Sequence, residues 1–133
     1  MNWRPANRDD RQIASLWAVS AVSFVALRPL WVAGAGILPP CLWHTATGMP
    51  CPGCGTTRAI LGLLQGRFSA ALAFNPLAAS GALGFVVLGF AAPLWFALGG
   101  RVLVIASRPR PIWIVAATSL VAANWVWLAV SGV

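Results

Sequence analysis

The chain has 133 residues, 59% of them hydrophobic and 8% charged, and its nine arginines against two carboxylates, Asp9 and Asp10, give a formal net charge of +7. An ordinary soluble domain carries roughly 25% charged residues, and a fold this poor in charge would leave large apolar patches in water, so the composition points to an integral membrane protein small enough for one domain. Two adjacent carboxylates exclude carboxylate-pair hydrolysis and oxygen-rich magnesium or calcium sites.

The first eleven residues are polar and carry Arg4, Arg8 and Arg11. From residue 12 to 35 the chain is apolar and long enough to cross a bilayer. Arg28, near the far end of this span, lies within snorkelling reach of the headgroups. The long segment 36–76 follows. A second span is expected over 77–99, with Asn75 as N-cap, Pro76 at the first helical position and a kink at Pro93. After a loop over 100–111 with Arg101, Arg108 and Arg110, a third span runs over 112–130, with Asn124 as its one strongly polar residue. The fold class expected is an all-α membrane protein with three transmembrane helices.

Trp17, Trp31, Trp95, Trp113, Trp125 and Trp127 fall in the outer turns of these spans, where an amphipathic ring prefers the headgroup layer. Arginine counting sets the orientation. The tail and the 100–111 loop hold six arginines, against Arg58 and Arg67, with Arg28 nearby, on the other side. This places the N-terminus in the cytoplasm and the segment 36–76 on the extracytoplasmic side. A rival reading takes the basic start, the apolar run 13–27 and the small residues Ala33-Gly34-Ala35 as a cleavable secretory signal, with Arg28 and Pro29 in awkward places for one.

All three cysteines lie in the 36–76 segment. Cys41 and His44 form a C-x2-H pair and Cys51 and Cys54 a C-x2-C pair, six residues apart. Two knuckle-spaced pairs of three thiols and an imidazole are the ligand set of a closed tetrahedral zinc site, which makes zinc the candidate cofactor. In Cys51-Pro52-Gly53-Cys54-Gly55 the proline stiffens a turn that the glycines allow to be tight, so that backbone N–H groups face sulfur. Two other readings stand beside the metal. Cys51 and Cys54 form a redox pair, or Cys41 is bridged to one of them, as an extracytoplasmic location favours; alternatively the turn is a structural corner with inert thiols. Three cysteines leave one over in any intramolecular pairing, which a metal site avoids.

Beyond the turn, a short helix capped by Thr56 or Thr57 is expected to end at Gly66. At about 15 Å it is too short to span and belongs in the interface or in a re-entrant segment. A second short helix over 68–74 leads to Asn75-Pro76. Arg58 sits at a helix N-terminus, where the dipole disfavours a cation. It therefore needs an acceptor: a backbone carbonyl, Asn75, Asn124, a lipid phosphate, a thiolate or the C-terminal carboxylate.

Pro39-Pro40-Cys41, Gly48, Cys51-Pro-Gly-Cys-Gly-Thr-Thr-Arg58, the helix end 63–66 and Asn75-Pro76-Leu77 together resemble a bacterial multi-pass membrane-protein family of unknown function marked by a CPGCGxTR…NPL signature. The resemblance covers about residues 37–80. It implies a small multi-pass membrane protein and singles out Cys41, Cys51, Cys54, Arg58, Asn75 and Pro76, and it supplies no activity.

The leading function read from these residues is non-enzymatic. The cysteine turn, structural or zinc-stabilised, organises a helix bundle and supports assembly with a membrane-protein partner or a second copy. The small residues of 78–84 (AASGALG) suit close helix packing. The alternative is a membrane-bound thiol–disulfide oxidoreductase using Cys51 and Cys54, with the following helix lowering a thiol pKa, although the chain has no strand pattern to build a thioredoxin-like sheet. Solute or metal transport is weaker, since Arg28 and Asn124 are the few polar groups within spans. Arginines scattered over loops form no stripe for nucleic acid.

Overall fold

The structure, a computed structural model, describes residues 2–104 and 111–132. It is mostly helical, and the helices start and stop where local chemistry dictates. The chain opens with a short strand, β1 (Asn2–Pro5), followed by helix α1 (Arg8–Ala26). A reciprocal capping box starts α1. The Asn7 side chain accepts from the Asp10 N–H at 2.9 Å, and the Asp10 carboxylate accepts from the Asn7 N–H at 2.9 Å. Arg4 grips the same carboxylate through both terminal nitrogens, at 2.5 and 2.9 Å.

The first apolar stretch is not one straight helix. It breaks at Leu27 into α1 and α2 (Arg28–Ala35), bent by 57°. Pro29 is the cause: it lacks the N–H that would reach the Val25 carbonyl and its ring crowds that turn. At the break, the Trp31 indole N–H donates to the Phe24 carbonyl at 3.1 Å. The stretch expected as a single span over 12–35 is therefore two helices.

Between Cys41 and Cys51 the chain forms a further short helix, α3 (Leu42–Thr47). It ends at Gly48, whose φ of 71° is left-handed. Helices α4 (Thr56–Leu64) and α5 (Phe68–Phe74) form a short hairpin. Gly66, at φ 75°, closes α4: its N–H reaches Leu63 O at 2.9 Å, and the Arg67 N–H reaches Gly62 O at 2.8 Å. The hairpin packs on the next helix, α6 (Pro76–Ala97), through the small buried residues Ala59, Ala71 and Ala79. Helix α6 runs through Pro93 as one element. The last helix is α7 (Pro111–Ser131).

Two of these helices, α6 and α7, are long and apolar enough to cross a membrane, and the bent α1–α2 pair makes a third if taken as one span. Helix α1 lies antiparallel against α6, with Trp17 and Ala21 beside Gly89 and with Arg11 and Ala14 near Pro93 and Phe96. A second strand after α6, β2 (Arg101–Val104), pairs antiparallel with β1, Arg4 opposite Val102. No strand is legible at either place in the sequence. The ribbon ties the basic N-terminal tail to the segment after α6, so both lie at one end of the bundle. Arg108 and Arg110 lie outside the described residues.

The small residues of 78–84 do less inside the chain than their pattern implies. Ala79 is buried, but a Cβ placed on Gly81 or Gly84 would meet nothing within 4 Å. The close approach comes later, at Gly89, where an added Cβ would stand 2.6 Å from the Ala21 Cβ. Gly89→Leu is expected to force α1 off α6 and to lower stability by about 1–3 kcal/mol. Gly81→Ala should leave stability unchanged or raised by up to about 1 kcal/mol. Thermal unfolding of the detergent-solubilised variants checks both.

Candidate functional site

The site is built at the end of the bundle opposite the β1–β2 ribbon, where α6 begins. The Cys51–Gly55 segment makes successive turns: the Cys54 N–H donates to Cys51 O at 2.9 Å and the Thr56 N–H to Gly53 O at 3.2 Å. Gly55, at φ 77°, is the N-cap of α4, and no side chain caps that helix. The cap expected from Thr56 or Thr57 is thus supplied by backbone geometry that a residue with a Cβ rarely adopts.

These turns bring the three cysteines together. The Cys51 sulfur lies 3.2 Å from that of Cys54 and 3.5 Å from that of Cys41, and all three lie within 4.8 Å of one another. None is bonded to another. The Cys51 backbone N–H donates to the Cys54 sulfur at 3.1 Å, one of the N–H to sulfur contacts that the Pro-Gly turn predicts. Sulfurs around a tetrahedral zinc at a Zn–S length of about 2.3 Å stand about 3.8 Å apart, so a small expansion of the cluster would admit an ion. His44 is not part of the gathered set. It stands on α3 and lines the same cleft of about 550 Å³ as the thiols, together with Thr45, Thr57 and Arg58.

The thiols are not equivalent. Burial pushes Cys54, only 7% exposed, up to about 11, with the Cys51 thiol adding to the shift. The Cys51 backbone N–H pulls the other way, but loss of water outweighs it. A thiol held protonated at neutral pH is a poor attacking group, which counts against Cys54 as a redox nucleophile. Cys41 moves the other way: the His44 backbone N–H, in the first turn of α3, and the Cys51 thiol draw it below the ordinary thiol range.

One residue holds the turn to the bundle. Asn75 is 1% exposed. Its side-chain oxygen accepts from the Ala78 N–H at 3.0 Å, capping α6 as its position predicts. Its amide nitrogen donates to Cys54 O at 2.9 Å and approaches the Thr56 hydroxyl at 3.4 Å. Asn124, on α7 and 5% exposed, completes the arrangement. It accepts from the Leu77 N–H at 3.0 Å and donates to Pro52 O at 3.4 Å. Pro76 has no N–H to satisfy, so the first turn of α6 has no orphan donor. Trp125 and Trp127 add indole bonds to Pro50 O at 2.7 Å and to Ala73 O at 3.2 Å.

The sequence marks Asn124 as an oddity within a span, and its partners are out of reach from sequence alone: they are 47 and 72 residues away. The signal available is that a lone amide in an apolar helix must bond something.

Arg58 has no ion pair and no hydrogen bond among the described residues. Its guanidinium lies over the Phe74 ring, 5.9 Å from the centroid. Both asparagine oxygens proposed as acceptors already serve α6 N–H groups. The C-terminal carboxylate of Val133 lies outside the described residues.

Residues 41–89 match a family described as a protein of unknown function (DUF2752). The matched stretch begins at Cys41, contains Cys51, Cys54, Arg58, Asn75 and Pro76, and ends at Gly89, so it takes in the site and the first part of α6 without α1, α2 or α7. No curated protein and no solved structure matches the chain significantly.

Asn75→Ala removes a buried cap and strands Cys54 O. It is expected to cost about 1–3 kcal/mol, read as a lowered unfolding temperature together with faster alkylation of Cys54. In the metal-free protein, mass-mapped alkylation at pH 8 should modify Cys41 first and Cys54 last. The Cys54 rate should keep rising about tenfold per pH unit towards pH 11, because the reactive thiolate accumulates only as its raised pKa is approached.

Proposed function

We propose that this is a small, non-enzymatic integral protein of a bacterial cytoplasmic membrane whose three-cysteine cluster binds zinc and so fixes the turn from which the helix bundle is organised. The gathering of Cys41, Cys51 and Cys54 within 4.8 Å of one another carries this reading. A bound zinc supplies a cross-link between α3, the turn and the start of α4, with His44 as the fourth ligand from the same cleft wall. Three thiolates around Zn²⁺ leave a net charge of about −1, which the neighbouring Arg58 offsets.

In this reading α1–α2, α6 and α7 cross the bilayer, and α4 and α5 lie in its interface as a re-entrant element. The tail and the segment after α6 face the cytoplasm, so the cysteine turn faces outward. The apolar flank of α6 around Gly81 and Gly84, with open space beside both glycines, is the face offered to a membrane partner or a second copy.

Protein purified without chelators should carry about one zinc per chain. Cys51→Ser and Cys54→Ser should each abolish it, and His44→Ala should weaken it. Chelation should lower the unfolding temperature of the wild type and leave the cysteine variants unmoved. A metal-free wild type after gentle purification, with all three thiols open to alkylation, would overturn the proposal. A membrane-impermeant maleimide should reach Cys41 from outside intact cells.

A further inference from the structure

The cysteine cleft does not end at the thiols. It shares Ala35, Leu38, Thr57 and Leu61 with a second cavity of about 530 Å³ between α2 and α4. That groove is walled by Phe24, Leu30, Trp31 and Ile60 and has no charged side chain. An apolar groove and a polar chamber therefore adjoin along one shared wall. The only arginine in their lining is Arg58, at the chamber, and no acidic side chain lines either part.

Among the described residues the carboxylates are Asp9 and Asp10, at the start of α1 beside the β1–β2 ribbon. The length of α6, about 33 Å at 1.5 Å per residue, separates the two ends. Arg58 is exposed and lines the chamber. Its guanidinium lies over the Phe74 ring, 5.9 Å from the centroid, a contact that leaves its charge unneutralised.

We infer that the adjoining cavities form a binding site for a phospholipid with a net-anionic headgroup, its phosphate at Arg58 and one acyl chain in the groove between α2 and α4. The charge selects the headgroup: an unneutralised guanidinium in a cleft without acids favours an anionic lipid over a zwitterionic one. The groove selects a chain: an apolar groove adjoining that cleft accepts hydrocarbon and rejects a free hydrophilic anion. The inference shares Arg58 with the proposed zinc site but does not need the metal, so the zinc content of each variant is measured beside its lipid binding.

Trp31 lies in the groove wall and reports on it. The full-length protein in neutral detergent is titrated with phosphatidylglycerol or phosphatidylcholine carrying dibrominated acyl chains. The signal is the tryptophan quenching that Trp31→Phe removes. Wild type should reach half-saturation at about fivefold less phosphatidylglycerol than phosphatidylcholine, the factor that one basic group contributes at an anionic lipid surface.

Arg58→Gln should bring that ratio to about one, Arg58→Lys should keep most of it, and Arg28→Gln, at the bend, should leave it intact. Gly34→Phe should block the quenching by both lipids, because Gly34 lines the groove and has open space beside it. Excess inorganic phosphate should not displace the lipid. Equal affinities in the wild type, a preference that survives Arg58→Gln or is lost in Arg28→Gln, unchanged quenching in Gly34→Phe, or displacement by phosphate alone would each overturn the inference. Equal unfolding temperatures for Arg58→Lys and Gly34→Phe relative to wild type keep those two arms decisive if Arg58→Gln does not fold.

Discussion

The structure depends on keeping backbone polar groups satisfied where water is scarce. At the start of α6 that requirement is met by one side chain, Asn75. Its oxygen takes one of the helix's N–H groups and its nitrogen holds the carbonyl of Cys54. A single buried amide thus joins the helix cap to the cysteine turn. In a low-dielectric setting a satisfied amide is worth keeping and a half-satisfied one is costly. An isosteric change to Asp would retain the acceptor and lose the donor, so Asn is the residue that meets both demands. Pro76 beside it removes the one donor that would otherwise be left over, and Asn124 reaches across from α7 to take the remaining one.

What was legible in the sequence follows from how local each decision is. The α5 bounds, the start of α6 at Asn75-Pro76, the end of α4 at Gly66 and the two long apolar helices are set by neighbours within a turn or two. Residue types at fixed offsets reveal them. The break at Leu27 was also written locally, in Pro29, but a stretch of apolar residues long enough to span masked it. The β1–β2 ribbon was not legible: the two four-residue strands are separated in sequence by all of α1 to α6, and the packing of α1 on α6 is what brings them side by side. The same holds within the site. The C-x2-C turn is a local feature, whereas its contact with Cys41, the displacement of His44 from the gathered set and the bonds from Asn124 all depend on tertiary placement.

Charge is distributed with the same economy. Asp10 is fully engaged at the ribbon end, capping α1 and pairing with Arg4. Among the described residues no carboxylate stands near the cysteine turn. That asymmetry governs the chemistry available there: thiols are the only acidic groups in the cleft, and burial keeps one of them, Cys54, protonated at neutral pH. Arg58 is the counter-charge in waiting, held by an aromatic face rather than by an anion. A zinc–thiolate cluster and a lipid phosphate are both answers to the same local imbalance. They need not exclude each other, because the guanidinium carries several donors along its edge.

Helix α7 shows why the turn matters beyond its own residues. Apolar side chains facing lipid give a membrane helix little reason to prefer one neighbour over the hydrocarbon around it. Directional bonds do, and those recorded between α7 and the rest of the chain cluster at one level: Asn124 to Leu77 and Pro52, Trp125 to Pro50, and Trp127 to Ala73. All four partners lie within residues 50–77, the segment that holds the C-x2-C turn. Whatever fixes the conformation of that segment therefore fixes the attachment of α7 as well. Packing of α1 on α6 at Gly89 defines one half of the bundle by shape, and the cysteine segment defines the other half by hydrogen bonds. The match to residues 41–89 runs from the first cysteine to that glycine, and so spans the elements in which both kinds of constraint originate.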